Sequence, residues 1–554
     1  MDTRRLILFF IFSFSLVMLW DAWQKQQAKL NAPPPAPAAA ARDATIPQPS
    51  QGLPTPAVPG STPAVAPGAA PAASAPQGKL RVRTDVMIAD IAAEGGDLRY
   101  VELIQHKDTL DKNKNFVLLG EHSYFAQTGL LAQGLELPTH KTAFSLPAGP
   151  LEMKAGEARL AVRLEAQMNG VKVAKIYTFH RGAYAIDVSY EIANGTASPI
   201  APSVYLQLLR DGKAPAGDSM FLQTYTGPVF YTDAEKFQKQ DFSDIDKNKP
   251  PPVKAAGDGW AGIIQHYFAT AWLPQGSGRR DFYSKKVADN LYSAGMIVPV
   301  GTVAPGAAGA FAAKLYVGPQ DQDRLKELSP GLDLVVDYGW LTIIAQPMFW
   351  LLKWLHAMLG NWGLAIIALT VIIKAVFFPL SAASYKSMAR MKKVTPRLTQ
   401  IRERYGNDRM KMNQAMMELY KEEKINPLGG CFPILVQIPV FIALYWVLLA
   451  SVEMRHAPFY GWITDLSAQD PYYILPILMA VSMFVQTKMN PTPPDPIQAK
   501  MMLIMPVVFS VFFFFFPSGL VLYWVVNNVL SIAQQWQITR MIEAGEDPDK
   551  KKKK

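Results

Sequence analysis

The chain has 554 residues, a formal net charge of +10 and one cysteine, and half of its residues are hydrophobic. A single cysteine excludes an intramolecular disulfide framework and a cysteine-based zinc or iron–sulfur site. The length predicts roughly two to four domains. The 44 prolines indicate a proline-rich tract in addition to the folded parts.

The first 30 residues predict a membrane anchor. Arg4 and Arg5 precede an uncharged run, Leu6–Trp20, that is nearly long enough to span a bilayer. A cleavable signal peptide is the alternative, but no small-residue cleavage site closely follows the run. We therefore expect an uncleaved span over residues 1–30, with its arginines in the cytoplasm.

The next stretch, residues 31–78, predicts a tether. It consists almost only of Ala, Pro, Gly, Ser, Thr and Gln. Such a composition cannot bury enough apolar surface to offset the entropy of ordering, and frequent proline keeps a chain extended. We expect a disordered linker whose sequence carries no further function.

Residues 79–330 predict a large all-β domain. Apolar and polar residues alternate from Tyr184 to Ile192, as in a half-buried strand, and the turn Asn194-Gly195 follows. Similar short strands, such as Leu160–Leu164 and Val204–Leu208, are separated by Gly, Pro and Asn clusters. Repeated strands of this kind favour a β-sandwich. The histidines and acids show no spacing typical of a metal site or a glycosidase, so we predict neither.

From residue 331 onward the composition is that of a membrane protein. Five uncharged or nearly uncharged runs predict spans. They are Asn361–Leu380, Cys431–Ala450, Tyr472–Thr487, Met501–Phe516 and Gly519–Gln537, and none contains Asp or Glu. These runs make up a predicted membrane core over residues 361–540.

The topology follows from one strongly basic loop, residues 384–426. Its lysines and arginines place it in the cytoplasm by the positive-inside rule. The N-terminus is also predicted to be inside, so a further span at Trp340–Leu359 would place this basic loop outside the cytoplasm. We therefore do not predict a span there. We therefore predict that residues 331–360 contain an amphipathic helix on the outer interface. Six spans then leave both termini in the cytoplasm and export the β domain.

Lys374 is the most informative single residue, because it lies within a predicted span. Two interpretations remain open: its amine extends to the cytoplasmic interface along its own stem, or it faces a water-filled cavity. Thr370 lies one helical turn earlier on the same face. Gln437 and Tyr523, in other spans, can add polar groups to the same space. Together these residues predict a polar concavity among apolar spans.

The basic loop predicts two helices, Ser384–Tyr405 and Asp408–Glu423, with Asp408 as a helix N-cap. Methionines give the pair an apolar surface suited either to varied partners or to contact between the two helices. They are Met388, Met391, Met410, Met412, Met416 and Met417. In the basic tail, residues 541–554, the terminal lysines are candidates to contact anionic lipid or ribosomal RNA, or only reinforce topology. They are Lys550, Lys551, Lys552, Lys553 and Lys554.

Several long segments resemble the YidC-type membrane protein insertases, the family that includes the mitochondrial Oxa and chloroplast Albino insertases. They are NPLGGCFPILVQIPVFIALYWVLL from Asn426, LSAQDPYYILPILMAVSMF from Leu466, FPSGLVLYWVVNN from Phe516, PLSAASYKSMARM from Pro379 and LYVGPQDQDRLKEL from Leu315. The order of anchor, linker, β domain and five-span core matches the form found in double-membraned bacteria.

The resemblance implies a non-enzymatic insertase and chaperone of the bacterial inner membrane, with a β-supersandwich in the periplasm. It implies a groove open to cytoplasm and lipid, in which a positive residue attracts the polar segment of a nascent inner-membrane protein. Substrate then slides along the last and third core spans, and neither nucleotide nor metal is needed. The Sec translocon and its accessory subunits, ribosomes and anionic lipids are the implied partners.

Two positions depart from the common family pattern. Lys374 stands where many bacterial members have arginine, so the charge is kept and bidentate carboxylate recognition is lost. Tyr523 and Trp524 stand where a tyrosine pair is common, so one hydroxyl is absent.

Two other classes of function fit this sequence less well. An ion-coupled transporter would usually show intramembrane acids and inverted repeats. A tethered carbohydrate enzyme would need paired acids in the β domain and leaves the spans unexplained.

Overall fold

The computed structural model describes residues 45–47, 78–215, 224–406, 408–423, 432–490 and 496–544. The predicted anchor, most of the predicted linker and the terminal lysines lie outside the described residues. Within the described residues, a β-rich half is followed by a helical half.

The β-rich half contains 18 strands in two sheets. Their bounds are β1 Lys79–Arg83, β2 Met87–Ala92, β3 Leu98–Lys107, β4 Asn115–Leu119, β5 Phe125–Leu131, β6 Leu151–Glu152, β7 Arg159–Met168, β8 Val171–His180, β9 Ala185–Asn194, β10 Ser203–Asp211, β11 Gly227–Thr232, β12 Lys236–Lys239, β13 Ala255–Ala256, β14 Trp260–Gln265, β15 Phe268–Pro274, β16 Arg280–Ala288, β17 Leu291–Pro299 and β18 Ala308–Pro319.

The larger sheet has ten strands in the order β13-β16-β17-β10-β5-β3-β2-β1-β6, with β4 paired to β3. The second sheet has eight strands in the order β12-β11-β14-β15-β18-β9-β8-β7. Strand pairs in both sheets are antiparallel, except that β1 and β6 run parallel. The two sheets share one hydrophobic core, which includes the fully buried Trp260 and Trp272.

The alternation in the sequence correctly predicted β9. Ile186, Val188, Tyr190 and Ile192 are buried in the core, while the polar residues between them are more exposed. The turn at Asn194 also follows as expected. By contrast, β10 is buried on both faces over nearly its whole length. One of its faces packs on the core and the other is covered by polar groups described below.

The core between the sheets contains a buried ion pair. The Lys175 ammonium lies 3.4 Å from an Asp97 carboxylate oxygen, and both side chains are fully buried. Lys175 also donates to the carbonyl of Gly95, and Asp97 accepts from Gln127 and from the backbone of Thr128. Burial raises the pKa of Asp97 to about 6 and lowers the pKa of Lys175 to about 8. The hydrogen bonds around both charges offset part of the desolvation cost.

The described residues contain ten α-helices. They are α1 Phe242–Asp246, α2 Gln322–Leu328, α3 Thr342–Leu359, α4 Trp362–Val376, α5 Phe378–Tyr405, α6 Arg409–Glu422, α7 Phe432–Ala450, α8 Ile474–Met489, α9 Pro496–Phe513 and α10 Ser518–Glu543. The last seven, from α4 to α10, correspond to the predicted spans and the basic loop.

The predicted span Asn361–Leu380 is not one straight helix, because α4 ends at Val376 and the chain bends by 67° into α5. The helix predicted to begin at Ser384 therefore begins at Phe378. Among the described residues, no single helix is both long enough and apolar enough to cross a membrane. The bent pair of α4 and α5 meets both conditions when the two helices are taken together. The predicted N-cap is confirmed, since the Asp408 carboxylate accepts from the backbone N–H of Lys411.

Helix α3 has two different faces. Ala345 and Leu352 are completely buried, whereas Trp350 and Trp354 are exposed on the other side. The exposed tryptophans, together with Trp340 just before the helix, form an apolar surface. This arrangement is that of an amphipathic helix.

Candidate functional site

A cavity of about 380 Å³ lies within the helical half, between α4, α5, α7, α8 and α10. Its walls combine apolar side chains with amides, hydroxyls and one amine. The lining residues are Lys374, Ser381, Ser384, Tyr385, Met388, Gln437, Ile438, Phe441, Met483, Gln486, Thr487, Asn490, Tyr523, Trp524, Asn527, Asn528 and Ser531. None of these described residues is Asp or Glu, so Lys374 carries the only formal charge among them.

The Lys374 side chain is held toward α10. Its ammonium donates a hydrogen bond of 2.7 Å to the Ser531 hydroxyl, and only 5% of the residue is exposed. Ser531 in turn donates to the backbone carbonyl of Asn527, one turn earlier in the same helix. Because the hydroxyl hydrogen of Ser531 points toward this carbonyl, a lone pair of the Ser531 oxygen accepts the hydrogen bond from the Lys374 ammonium.

Amide side chains connect the other helices around the cavity. Gln437 on α7 donates to the side-chain oxygen of Asn527 on α10 over 3.0 Å. Asn528, also on α10, donates to the Ser482 hydroxyl on α8 over 3.3 Å. These bonds fix the cavity walls relative to each other, because each polar group in an apolar bundle needs a partner.

Aromatic rings close one side of the cavity. Trp524 meets Phe441 edge-on at 4.3 Å between ring centroids and Phe513 at 5.3 Å. Tyr523 stacks on Phe441 at 6.0 Å between ring centroids and is almost completely buried. Within the described residues the indole nitrogen of Trp524 is buried and has no hydrogen-bond acceptor. A donor in that position is available to a polar group that enters the cavity.

The residues predicted for a polar space are mostly brought together. Lys374, Gln437, Tyr523 and Trp524 line the same cavity. Thr370 lies outside this lining, because its hydroxyl donates to the carbonyl of Ile366 in its own helix. A threonine within an apolar helix commonly makes this bond to the residue four positions earlier.

The methionines predicted for the basic loop lie in three different environments. Met388 lines the cavity. Met391 and Met416 pack against the small core that joins α5 to α6. Met410 and Met417 are exposed, by 84% and 54%. Contact between the helices therefore accounts for one part of the set, and a free apolar surface accounts for another.

Sequence reasoning missed Ser531, Asn527 and Asn528. An informative signal was present, since two adjacent asparagines in an otherwise apolar span are costly unless they have partners. Asn527 and Ser531 are four residues apart and so share a helix face. The partner of Ser531 could not be read in this way, because Lys374 is 157 positions away in the chain.

Groups suited to a metal ion were also sought. The described ranges contain no cluster of three or more His, Cys, Asp or Glu side chains that could hold one. The described lining of the cavity supplies one amine, several amides and aromatic surfaces.

Comparison with known proteins assigns both halves. Residues 79–351 match the model of the YidC periplasmic domain, and residues 354–546 match that of the 60Kd inner membrane protein. The chain is 59% identical to the membrane protein insertase YidC of Aromatoleum aromaticum over 98% of both chains. This chain belongs to the YidC family of membrane protein insertases.

Other relatives agree with this assignment. The insertase YidC of Dechloromonas aromatica is 56% identical, again over 98% of both chains. A solved structure of an active YidC insertase covers 81% of this chain and 90% of its own, with 18% identity and a TM-score of 0.36. A score of that size supports no argument about this chain. The family places the protein in the inner membrane with a periplasmic β domain.

Proposed function

We propose that this insertase draws the polar, acidic segment that flanks a substrate's hydrophobic stretch into the cavity around Lys374. The observation that carries this proposal is a lining with one cation and no acid. An acidic segment meets an opposite charge there, at a depth where a charge without a partner would be costly. The Ser531 hydroxyl holds the ammonium until a stronger, charged acceptor arrives.

The amides and aromatic surface complete the path. The side chains of Gln437, Asn527 and Asn528 can donate to and accept from a peptide backbone that has left water. Tyr523 and Trp524 supply an apolar wall along which a hydrophobic segment slides toward lipid. Partition of roughly 20 apolar residues into the bilayer then provides the driving free energy, so that no nucleotide or other cofactor is required.

We further infer the topology and its parts. Residues 1–30 form the anchor, 31–78 the linker, 79–330 the β domain and 361–540 a five-span core, with both termini in the cytoplasm. The basic loop 384–426 then lies in the cytoplasm, where the exposed Met410 and Met417 receive substrate. The two-faced helix α3, within residues 331–360, rests on the periplasmic interface with its tryptophans toward lipid.

Partners follow from the same arrangement. Nascent inner-membrane proteins are the substrates, inserted by this protein alone or together with the Sec translocon and its accessory subunits. Lys550–Lys554 carry a cluster of positive charge suited to ribosomal RNA or anionic lipid. A chaperone role in folding requires that the cavity release its substrate, which a single cation and neutral amides permit.

Insertion into liposomes tests the proposal. Purified wild-type protein, Lys374→Arg and Lys374→Ala are reconstituted, and protection of a small two-span substrate from protease is measured. We expect protection with wild type and with the arginine variant, and a loss of about tenfold with the alanine variant.

Two outcomes would count against the proposal. Equal protection with all three proteins would leave an insertase whose cavity charge has no role. No protection above empty liposomes, with protein shown to be folded by its elution as a single species, would leave a protein that acts only with other factors.

A further inference from the structure

A short piece of the predicted linker contacts the β domain. Thr45-Ile46-Pro47 lies on the ten-stranded sheet, and Pro47 is buried. The expectation that the whole linker is a featureless tether is therefore wrong at these three residues. Three hydrogen bonds hold them, and each comes from a different part of the domain.

The first contact involves the Thr45 hydroxyl, which lies 2.9 Å from Nε2 of His140. His140 is itself fixed, because its Nδ1 lies 2.6 Å from the Tyr205 hydroxyl and its backbone N–H donates to the same oxygen. Tyr205 is completely buried. The imidazole is therefore oriented toward Thr45 before the segment binds.

The other two contacts recognise backbone carbonyls. Gln207 donates to the carbonyl of Thr45 over 3.3 Å, and the Lys285 ammonium donates to the carbonyl of Ile46 over 3.0 Å. Gln207 is completely buried, and its own oxygen accepts from the hydroxyls of Tyr283 and Ser293. The segment has a turn at Thr45 and a bend at Ile46, and the two donors hold the consecutive carbonyls of this bent backbone.

The sheet register explains why these side chains meet. Gln207 on β10 lies opposite Gln127 on β5 and opposite Gly295 on β17, while Gly295 lies opposite Tyr283 on β16. These positions share one face, since side chains alternate along a strand. The intervening Leu206 points the other way and belongs to the hydrophobic core.

Two glycines open the space above this face. Gly129 lies opposite Tyr205, and a Cβ there would come within 2.4 Å of the Tyr205 hydroxyl. A Cβ at Gly295 would lie 2.8 Å from the Cα of Gln207. Neither position tolerates a side chain without displacing the residues that contact the segment. The face is thus a shaped polar cleft and not a flat sheet surface.

We propose that this cleft is a binding site for a bent peptide segment with a hydroxyl residue two positions before a proline. Thr45-Ile46-Pro47 fills it in cis and acts as a displaceable clasp on the linker. Pro47 suits the role, because proline restricts the backbone of the preceding Ile46 and so lowers the entropy lost on binding. The cleft makes hydrogen bonds to two backbone carbonyls and one side-chain hydroxyl of the segment.

The clasp changes the reach of the linker. Between the clasp and the first strand lie 31 residues, 48–78. Fully extended, that length spans roughly 100 Å, and as a flexible coil about 30 Å. A closed clasp removes this length from the connection between the predicted anchor and the β domain, and an open clasp restores it. The same length of chain keeps the segment near the cleft at an effective concentration of roughly millimolar.

Distance measurement between two spin labels tests the proposal on the full chain. Cys431→Ser removes the sole native cysteine. Asp43→Cys then places one label beside the clasp, and Lys172→Cys places the other on the exposed side of β8. A second sample replaces Asp43→Cys with Gly60→Cys, far from the clasp. We expect a narrow distance distribution for the first sample and a broad one for the second.

Two perturbations distinguish a bound ligand from a fixed part of the domain. A synthetic peptide of residues 41–50 at several millimolar is expected to broaden the narrow distribution, whereas a scrambled peptide is not. Lys285→Met removes one charged donor and is expected to lower the ratio of narrow to broad components about tenfold. Lys286→Met is the matched control, because Lys286 pairs with Asp246 and does not contact the segment.

The result that would overturn the proposal is a distribution as broad as that of the Gly60→Cys sample. A narrow distribution that neither the peptide nor Lys285→Met changes would also overturn it, since the segment would then be a permanent part of the fold. The peptide arm uses unmutated cleft residues, so that misfolding of a variant cannot account for the result.

Discussion

Two buried lysines, one in each half of the molecule, show how differently the two halves use charge. Lys175 lies in the β domain beside the carboxylate of Asp97, within a closed network of hydrogen bonds. Lys374 lies in the helical half, where its ammonium donates to the neutral hydroxyl of Ser531. The first charge is neutralised within the fold. The second has no carboxylate beside it among the described residues that line the cavity, which is why we propose that it pairs with substrate.

The largest expected effect on stability comes from breaking the Lys175–Asp97 ion pair. Lys175→Met should leave the Asp97 carboxylate buried without its cation and lower the free energy of unfolding by about 3–5 kcal/mol. Pulse proteolysis of the full chain in detergent, which follows the β-domain fragment, measures this change. The double variant with Asp97→Leu should recover a large part of the loss. No difference between single and double variants would show that the pair does not act as a unit.

A second effect, of up to about 3 kcal/mol, is expected where the two halves meet. Burial, with smaller effects from Arg455 and other nearby charges, lowers the pKa of His106 to about 4. The unfolded state then binds a proton between about pH 6.5 and pH 4 that the folded state does not, so stability falls as pH falls through that window. His106→Phe should flatten this pH dependence, measured by the same proteolysis at several pH values. An unchanged slope would contradict the assignment to His106.

Substitution of Ser531, the hydrogen-bond partner of Lys374, should have a moderate effect on insertion. Ser531→Ala removes the acceptor that positions the Lys374 ammonium, and we expect insertion into liposomes to fall two- to fivefold, equivalent to about 1 kcal/mol. Ser531→Thr keeps the hydroxyl and should retain activity. Ser510→Ala is a matched control, because Ser510 is equally buried but donates only to its own helix at Pro506. An equal loss with Ser510→Ala would indicate a general packing defect.

The smallest effects on stability are expected on the basic loop, where one residue pair separates packing from binding. Met416→Ala should destabilise the contact between α5 and α6 by about 1 kcal/mol, since Met416 packs against its small core. Met417→Ser should change stability by less than about 0.5 kcal/mol, because Met417 is exposed. If Met417 receives substrate, crosslinking of a nascent chain to α6 should nevertheless decrease. Unchanged crosslinking would restrict the loop to a structural role.

The sequence predicted those parts of the fold in which one face is buried and the other is not. Strand β9 shows this alternation and was predicted nearly to its ends. Strand β10 is buried on both faces, because Tyr205 and Gln207 are covered by His140 and Thr45 from distant parts of the chain. The hydrophobic periodicity of a strand does not show that distant residues cover its second face. The bend after Val376 was missed for a similar reason, since hydropathy continues through it without a break.

The candidate site was predictable in its chemistry more than in its contacts. A lysine, a glutamine and aromatic residues in apolar spans are conspicuous, and Lys374, Gln437, Tyr523 and Trp524 do line one cavity. Thr370 shows the limit of this reasoning, because a helix face alone does not reveal that its hydroxyl bonds to its own helix. The Lys374–Ser531 contact joins two helices that only the folded bundle brings together.

Reversing the sign of the charge at Lys374 and in the substrate tests the central claim most directly. Wild-type protein and Lys374→Glu are reconstituted without an imposed membrane potential, since a potential would itself act on the substrate's charge. Each is given two versions of one substrate, with aspartate or lysine at the same position of the translocated segment. We predict that wild type inserts the aspartate version better and that Lys374→Glu inserts the lysine version better. The same preference with both proteins would contradict a role for Lys374 in pairing with the substrate.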